Sequence, residues 1–179
     1  MPGLKDRFLT LPNLLSLSRI PLSLAAAAFL VSGDTLPMIV FAVAAILTDW
    51  LDGFTARRTD SVSRWGTILD PAADKIGFAA FGAALAVSGR IPVWFILFVV
   101  CRDVLIAAGG LAIARGGARV PRSNVWGKAS TVILSAYMVR QAVHPTSSTI
   151  ALGLDALGLA ALAGLAVSTA SYVVGALRR

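Results

Sequence analysis

A chain of 179 residues that is 57% hydrophobic and 14% charged, with a mean hydropathy of +0.80, has the length of one domain and a composition far from that of a water-soluble one. Sixteen Lys and Arg against nine acids leave a net charge of +7. In so apolar a chain this excess points to basic loops against an anionic membrane surface and away from nucleic acid.

Residues 2–11 place Leu4, Phe8 and Leu11 at i, i+4, i+7 with Lys5, Asp6 and Arg7 between them, which predicts a short amphipathic helix lying in the membrane interface. Pro12 and Asn13 then interrupt the chain, and Asn13 is placed to cap a first membrane helix over 13–32. Arg19 lies one to two turns inside that helix, where it either snorkels to the interface or faces a polar cavity. After the turn SGDT, a second helix over 36–57 ends in TDWLDGFTARR. Asp49, Gly53 and Arg57 follow i, i+4, i+8 there, with Asp52 and Ala56 beside them on one broad face.

A polar link over 58–65 leads to a third helix, 66–89, which opens with Gly66, Asp70 and Asp74 at i, i+4, i+8. A fourth helix over 91–114 carries Arg102 and Asp103 near its middle, together with Cys101. That sole cysteine allows no internal disulfide and no zinc site of its own, and its apolar surroundings predict a small buried hydrophobe. A fifth helix over 124–142 has Lys128 close to its start, and a sixth over 149–176 has Asp155 as its one charge before Arg178 and Arg179. The expected fold is all-α: a single polytopic membrane domain over 1–179, with six transmembrane helices and the interfacial helix at its N-terminus.

Loop charge sets the expected orientation. Lys5, Arg7, Arg57, Arg58, Arg64, Arg115, Arg119, Arg122, Arg178 and Arg179 fall on one side of a six-helix zigzag, and only Arg90 and Arg140 on the other. Both termini and the aspartates of residues 49–74 are then cytoplasmic.

All nine acids are aspartates, and four of them, Asp49, Asp52, Asp70 and Asp74, sit at the facing ends of a helical hairpin. At the centre of a membrane helix each would cost about 2.5–3.5 kcal/mol. Either divalent cations in a polar cavity neutralise them, or they lie close enough to the surface to stay wet. Their oxygens suit magnesium, manganese or calcium. With no cysteine nearby, and with His144 in the opposite loop, zinc and copper are disfavoured. Four such carboxylates can bridge two ions about 3.5–4 Å apart, the arrangement that stabilises attacking and leaving oxygens in phosphoryl transfer. Gly53, Ala56 and Gly66 leave room for a ligand such as a nucleotide pyrophosphate, whose oxygens Arg57, Arg58 and Arg64 could meet.

Asp49, Asp52, Gly53, Ala56, Arg57, Gly66, Asp70 and Asp74 match the pattern D-x2-D-G-x2-A-R-x8-G-x3-D-x3-D with every spacing kept. The stretch resembles the signature of the CDP-alcohol phosphatidyltransferases. LPNLLSLSRIPL near the start, LDPAADK around Asp70, CRDVLI in the fourth helix and the GK of Gly127 and Lys128 look like the bacterial phosphatidylglycerophosphate and cardiolipin synthases of that family. The likeness covers about residues 11–140.

The resemblance implies that an acceptor hydroxyl attacks the β-phosphorus of CDP-diacylglycerol and CMP leaves. By family pattern Asp49, Asp52, Asp70 and Asp74 hold two Mg2+ or Mn2+ ions, and Asp74 also takes the proton of the acceptor. The CDP-lipid lies against Asp52, Gly53, Ala56, Arg57 and Gly66, with its acyl chains open to the bilayer. The implied assembly is a homodimer in a bacterial-type cytoplasmic membrane. An anionic acceptor, glycerol 3-phosphate first and phosphatidylglycerol as the alternative, calls for cations, and Lys75, Arg102 and Lys128 are the candidates, with Arg19 or Arg122 behind them. For Arg102 a plain ion pair with Asp103 has equal weight. The Arg-Asp pair of CRDVLI is the cardiolipin synthase form, where glycerophosphate-accepting members more often have Arg-Glu. An ion-coupled transporter, the reading from another class, would spread its acids along a route through the membrane, whereas here they gather at one end of one hairpin.

Overall fold

The structure, a computed structural model, describes residues 11–59, 66–115, 125–145 and 153–177; the side chains of 11, 12, 52–59, 66–68, 71, 112–114, 125, 126 and 175–177 lie outside that description. The expected interfacial helix over 2–11 falls almost wholly outside the described residues. Those described form six helices: α1 (Leu11–Ser32), α2 (Thr35–Thr59), α3 (Gly66–Val87), α4 (Val93–Arg115), α5 (Val125–Val143) and α6 (Ala156–Leu177).

Most boundaries follow from local chemistry. Helix α1 starts two residues before Asn13, so Asn13 lies inside the first turn, buried, and does not cap it. Pro12 is tolerated there because its missing N–H belongs to a turn whose amides have no helical partner. At the other end Gly33 takes a positive φ of 87°. Its N–H bonds the Leu30 carbonyl at 3.3 Å, while the Asp34 N–H bonds that of Phe29 at 3.0 Å. This glycine-terminated pairing satisfies the last carbonyls of α1. The Asp34 carbonyl then accepts the first bond of α2, from Met38 N–H at 3.1 Å.

Helix α6 begins later than expected, at Ala156. Gly153 has a φ of 75°, and the Asp155 carboxylate accepts a bond from the Gly158 N–H at 2.9 Å. Asp155, expected as an isolated charge within the last helix, is instead its N-cap.

The chain forms two compact units, Met1–Ser88 and Gly89–Arg179. In the first, α1 packs against both α2 and α3. Phe29 and Phe41 stack at 5.4 Å, and a Cβ added at Gly77 would lie 2.6 Å from Ser23 Oγ, so the bare glycine lets α3 close on α1. In the second, α5 packs along α6, and α6 also touches α4. Tyr137 is fully buried there, edge-on to Phe95 at 5.6 Å.

Beside this apolar core, many large apolar side chains lie exposed and several polar ones are buried. Leu36, Ile46, Leu105 and Val132 are 74%, 66%, 71% and 68% exposed, whereas Ser16, Arg19, Gln141 and Asp155 are buried. Among the described residues, Asn13–Ser32, Val93–Leu111 and Ala156–Val174 are long and apolar enough to cross a membrane, and Thr35–Leu51 is a shorter apolar stretch. This is the pattern of an integral membrane protein. Cys101, expected in the core, is exposed: on α4 it shares a face with the exposed Leu97, Val104 and Leu105, an apolar exterior that suits a thiol as well as a core does.

Candidate active site

Helix α1 positions the site. Its Asn13, Ser16 and Arg19, at i, i+3, i+6, are only 2%, 0% and 5% exposed, a buried polar stripe on an otherwise apolar helix. The stripe meets carboxylates from both neighbours. Ser16 Oγ donates to Asp70 Oδ1 on α3 at 2.5 Å. Arg19 reaches Asp49 on α2 through one terminal nitrogen at 2.9 Å and Asp74 on α3 through the other. One guanidinium therefore ties three helices together at the carboxylates.

The two sides of these ion pairs differ in burial. The Arg19 side chain is 6% exposed, while those of Asp49 and Asp74 are 61% and 55% exposed. The cation is enclosed by helix packing and the carboxylates open outward. A buried arginine in an apolar helix is tolerated only when its charge is paired. Of the two readings of Arg19, its contacts are those of a residue facing the carboxylates.

The structure brings Asp49, Asp70 and Asp74 together around α1 and leaves other expected residues apart or undescribed. Asp52, Gly53, Ala56 and Arg57 lie in the last turns of α2 and Gly66 opens α3, but nothing beyond this backbone placement is described for them. Lys75 is exposed on α3, and Lys128 is exposed on α5. Arg102 is engaged within the second unit: Nε donates to Thr169 Oγ1 at 3.2 Å, one terminal nitrogen to Ser168 Oγ at 2.9 Å, and the other to Asp103 Oδ1 at 2.7 Å. That arrangement favours a structural pairing for Arg102.

Two residues that touch the aspartates, Ser16 and Arg19, are absent from the metal and catalytic set expected from sequence. The signal was the three-residue spacing of Asn13, Ser16 and Arg19, which puts every polar group of that stretch except Ser18 on one side of the helix.

Among the described residues no three His, Cys, Asp or Glu side chains form a ready metal-ligand group; the Asp52 side chain is outside that description. The donors nevertheless fit a hard divalent cation by chemistry. Asp49 and Asp74 converge on a single cationic group, offer only oxygens, and are more than half exposed, so a small cation has access to both.

Sequence comparison extends these observations to most of the chain. It is 32% identical over 129 residues to an Aquifex aeolicus protein named CDP-diacylglycerol–glycerol-3-phosphate 3-phosphatidyltransferase, covering 71% of this chain and 72% of that one. It is 33% identical over 133 residues to a Streptomyces coelicolor cardiolipin synthase (CMP-forming), covering 70% of this chain and 61% of that one. It is 38% identical over 109 residues to the human cardiolipin synthase (CMP-forming), covering 60% of this chain and 36% of that one. The chain spans 34% of a Drosophila melanogaster relative that it also matches. The profile of the CDP-alcohol phosphatidyltransferases matches residues 9–172, taking in helices of both compact units, and on that match the chain belongs to the CDP-alcohol phosphatidyltransferase family.

Proposed function

We propose that this protein transfers the phosphatidyl group of CDP-diacylglycerol to an alcohol acceptor with release of CMP. The observation that carries the proposal is the meeting of Asp49 and Asp74 from two helices at one buried cation, Arg19, with Asp70 held beside them by Ser16, in a chain that belongs to a family of phosphatidyltransferases. In the reaction an acceptor hydroxyl forms a bond to the β-phosphorus and the pyrophosphate bond to CMP breaks. Asp74 accepts the hydroxyl proton. Asp49, Asp52, Asp70 and Asp74 would hold two Mg2+ or Mn2+ ions, which when bound supply charge neutralisation for the leaving phosphate. The CDP moiety rests on Asp52, Gly53, Ala56, Arg57 and Gly66, where small residues in the last turns of α2 and at the start of α3 leave room for it.

Glycerol 3-phosphate is the proposed acceptor, by the exposed cations Lys75 and Lys128 and by the activity in the name of the Aquifex relative. Phosphatidylglycerol is the second reading, favoured by the Arg102–Asp103 pair and by the names of the Streptomyces and human relatives. Six helices cross the membrane in this proposal, with the termini and the carboxylates on the cytoplasmic side, as loop charge directs. The proposed assembly is a homodimer, measurable as a protein mass of twice 18.6 kDa in detergent.

The deciding experiment supplies purified protein with CDP-diacylglycerol and Mg2+ or Mn2+, offers glycerol 3-phosphate and phosphatidylglycerol separately, and identifies the lipid product. Phosphatidylglycerophosphate supports the first acceptor and cardiolipin the second. CMP release with neither acceptor present, or none with both, counts against the proposal.

A further inference from the structure

Arg19 occupies the position from which a cation would bind the carboxylates. Its two terminal nitrogens reach Asp49 and Asp74, the very pair that joins α2 to α3. The guanidinium is held from behind by burial, at 6% exposure, while both carboxylates open outward. Ser16, fully buried one turn earlier, holds Asp70 by a hydrogen bond of 2.5 Å. A positive charge enclosed behind two exposed negative groups is built to neutralise them without closing them off.

Resting on the proposal that these carboxylates hold a divalent cation, we infer that Arg19 is a built-in counter-cation that competes with that ion for Asp49 and Asp74. Without metal, Arg19 offsets the mutual repulsion of the aspartates and keeps α2 and α3 registered on α1. For a dication to engage the same oxygens, the guanidinium must release at least one carboxylate. Arg19 therefore sets the affinity of the site downward and couples its occupancy to the contact of α1 with the hairpin. Asp74, the proposed proton acceptor, has one oxygen bonded by Arg19, so the same release frees it to accept a proton.

This role makes a prediction opposite in sign to that of a simple structural staple. Removing the charge with Arg19→Gln lowers metal-free stability under either role. Under competition it also tightens metal binding, by roughly tenfold for ion pairs whose carboxylates are more than half exposed. A staple predicts equal or weaker binding, because the carboxylates lose their alignment. Arg19→Lys keeps the charge but not the two-pronged reach to Asp49 and Asp74, so its affinity falls between the two.

The test titrates full-length native, R19Q and R19K protein in lipid nanodiscs with Mn2+ alone. Free ion is read by electron paramagnetic resonance, and thermal unfolding is followed with and without Mn2+. Tighter Mn2+ binding by R19Q, with a larger metal-induced rise in unfolding temperature than the native protein shows, supports the inference. Unchanged or weaker binding by folded R19Q overturns it. Should R19Q fail to fold, R19K decides: binding a few-fold tighter than native supports competition, and native-like or weaker binding overturns it. Native protein that takes up no Mn2+ overturns the metal proposal itself, an outcome distinct from a bound ion that is indifferent to residue 19.

Discussion

Asp74 carries two duties in the proposed reaction, metal ligand and proton acceptor, and in the structure it is also a partner of Arg19. Asp74→Asn keeps the shape and an oxygen for Arg19 to bond, so the fold should survive. The amide cannot take the proton of the acceptor, and CMP release should fall by roughly a thousandfold. A radioactive CMP-release assay, read beside an unchanged thermal unfolding profile, checks this; undiminished turnover would remove Asp74 from catalysis. Lys128 makes a different prediction. Exposed on α5 and proposed to meet the phosphate of the acceptor, it should raise the acceptor KM about tenfold when changed to Ala, with little change in the KM for CDP-diacylglycerol. Equal effects on both constants would place it elsewhere. At this scale the sequence was most informative about the aspartates, because spacing on a helix is rigid and four acids in apolar surroundings demand a function. It was least informative about Arg19, since an arginine near the end of a membrane helix has two stable homes. Only the packing of α1 between α2 and α3 distinguishes them.

The ends of the helices show how much a single residue settles at the next scale. Asp155 caps α6 through the Gly158 N–H, and its other oxygen accepts from Gln141 Nε2 at 2.9 Å and from Arg140 on α5. Arg90 donates to the Ala142 carbonyl at 2.5 Å and so closes the end of α5 from the turn that precedes α4. These contacts tie the end of α5 to the start of α6 in the second unit. Asp155→Ala removes the cap and leaves the Arg140 charge without its carboxylate, an expected loss of about 2–3 kcal/mol once the partial exposure of Arg140 is allowed for. Asp155→Asn, which keeps an oxygen for the cap, should lose less, and thermal unfolding in detergent ranks the two. Gly158→Ala tests the packing above the cap. Its Cβ would lie 2.8 Å from the ring of the fully buried Tyr137, so the helical preference for alanine is outweighed by overpacking of about 1–3 kcal/mol. A more stable G158A protein would contradict that contact. Hydropathy and turn residues made five helices legible to within two residues at every end. The start of α6 was misplaced because an apolar run carries no mark of where its backbone first becomes helical, and the capping function of Asp155 depends on Gly153 turning the chain just before it.

For the whole molecule, the decisive physical statement is that large apolar side chains such as Leu36 and Leu105 lie exposed while the charges of Arg19 and Asp155 are buried. In water such a surface would aggregate, and in a bilayer it is the solvated one. Among the described residues, three helices are long and apolar enough to cross a membrane by length and hydropathy alone. Helices α3 and α5 carry Asp70, Asp74 and Lys75, and Lys128 and Arg140, and some of these charges meet partners supplied by other helices. Ser16 and Arg19 supply them for α3, and Asp155 supplies one for Arg140, which is information a window of composition cannot hold. Leu105 allows the solvent itself to be tested. It lies mid-helix in α4 and is 71% exposed. On a water-facing helix, Leu105→Asp would change stability by no more than about 0.5 kcal/mol. Facing acyl chains at the centre of a span, the same carboxylate costs about 2.5–3.5 kcal/mol. The expected outcome is a marked loss of membrane-inserted, folded protein for L105D and near-native yield for L105A, measured by carbonate-resistant membrane fractionation and by unfolding in nanodiscs. Equal behaviour of the two variants would mean that α4 does not present this face to lipid.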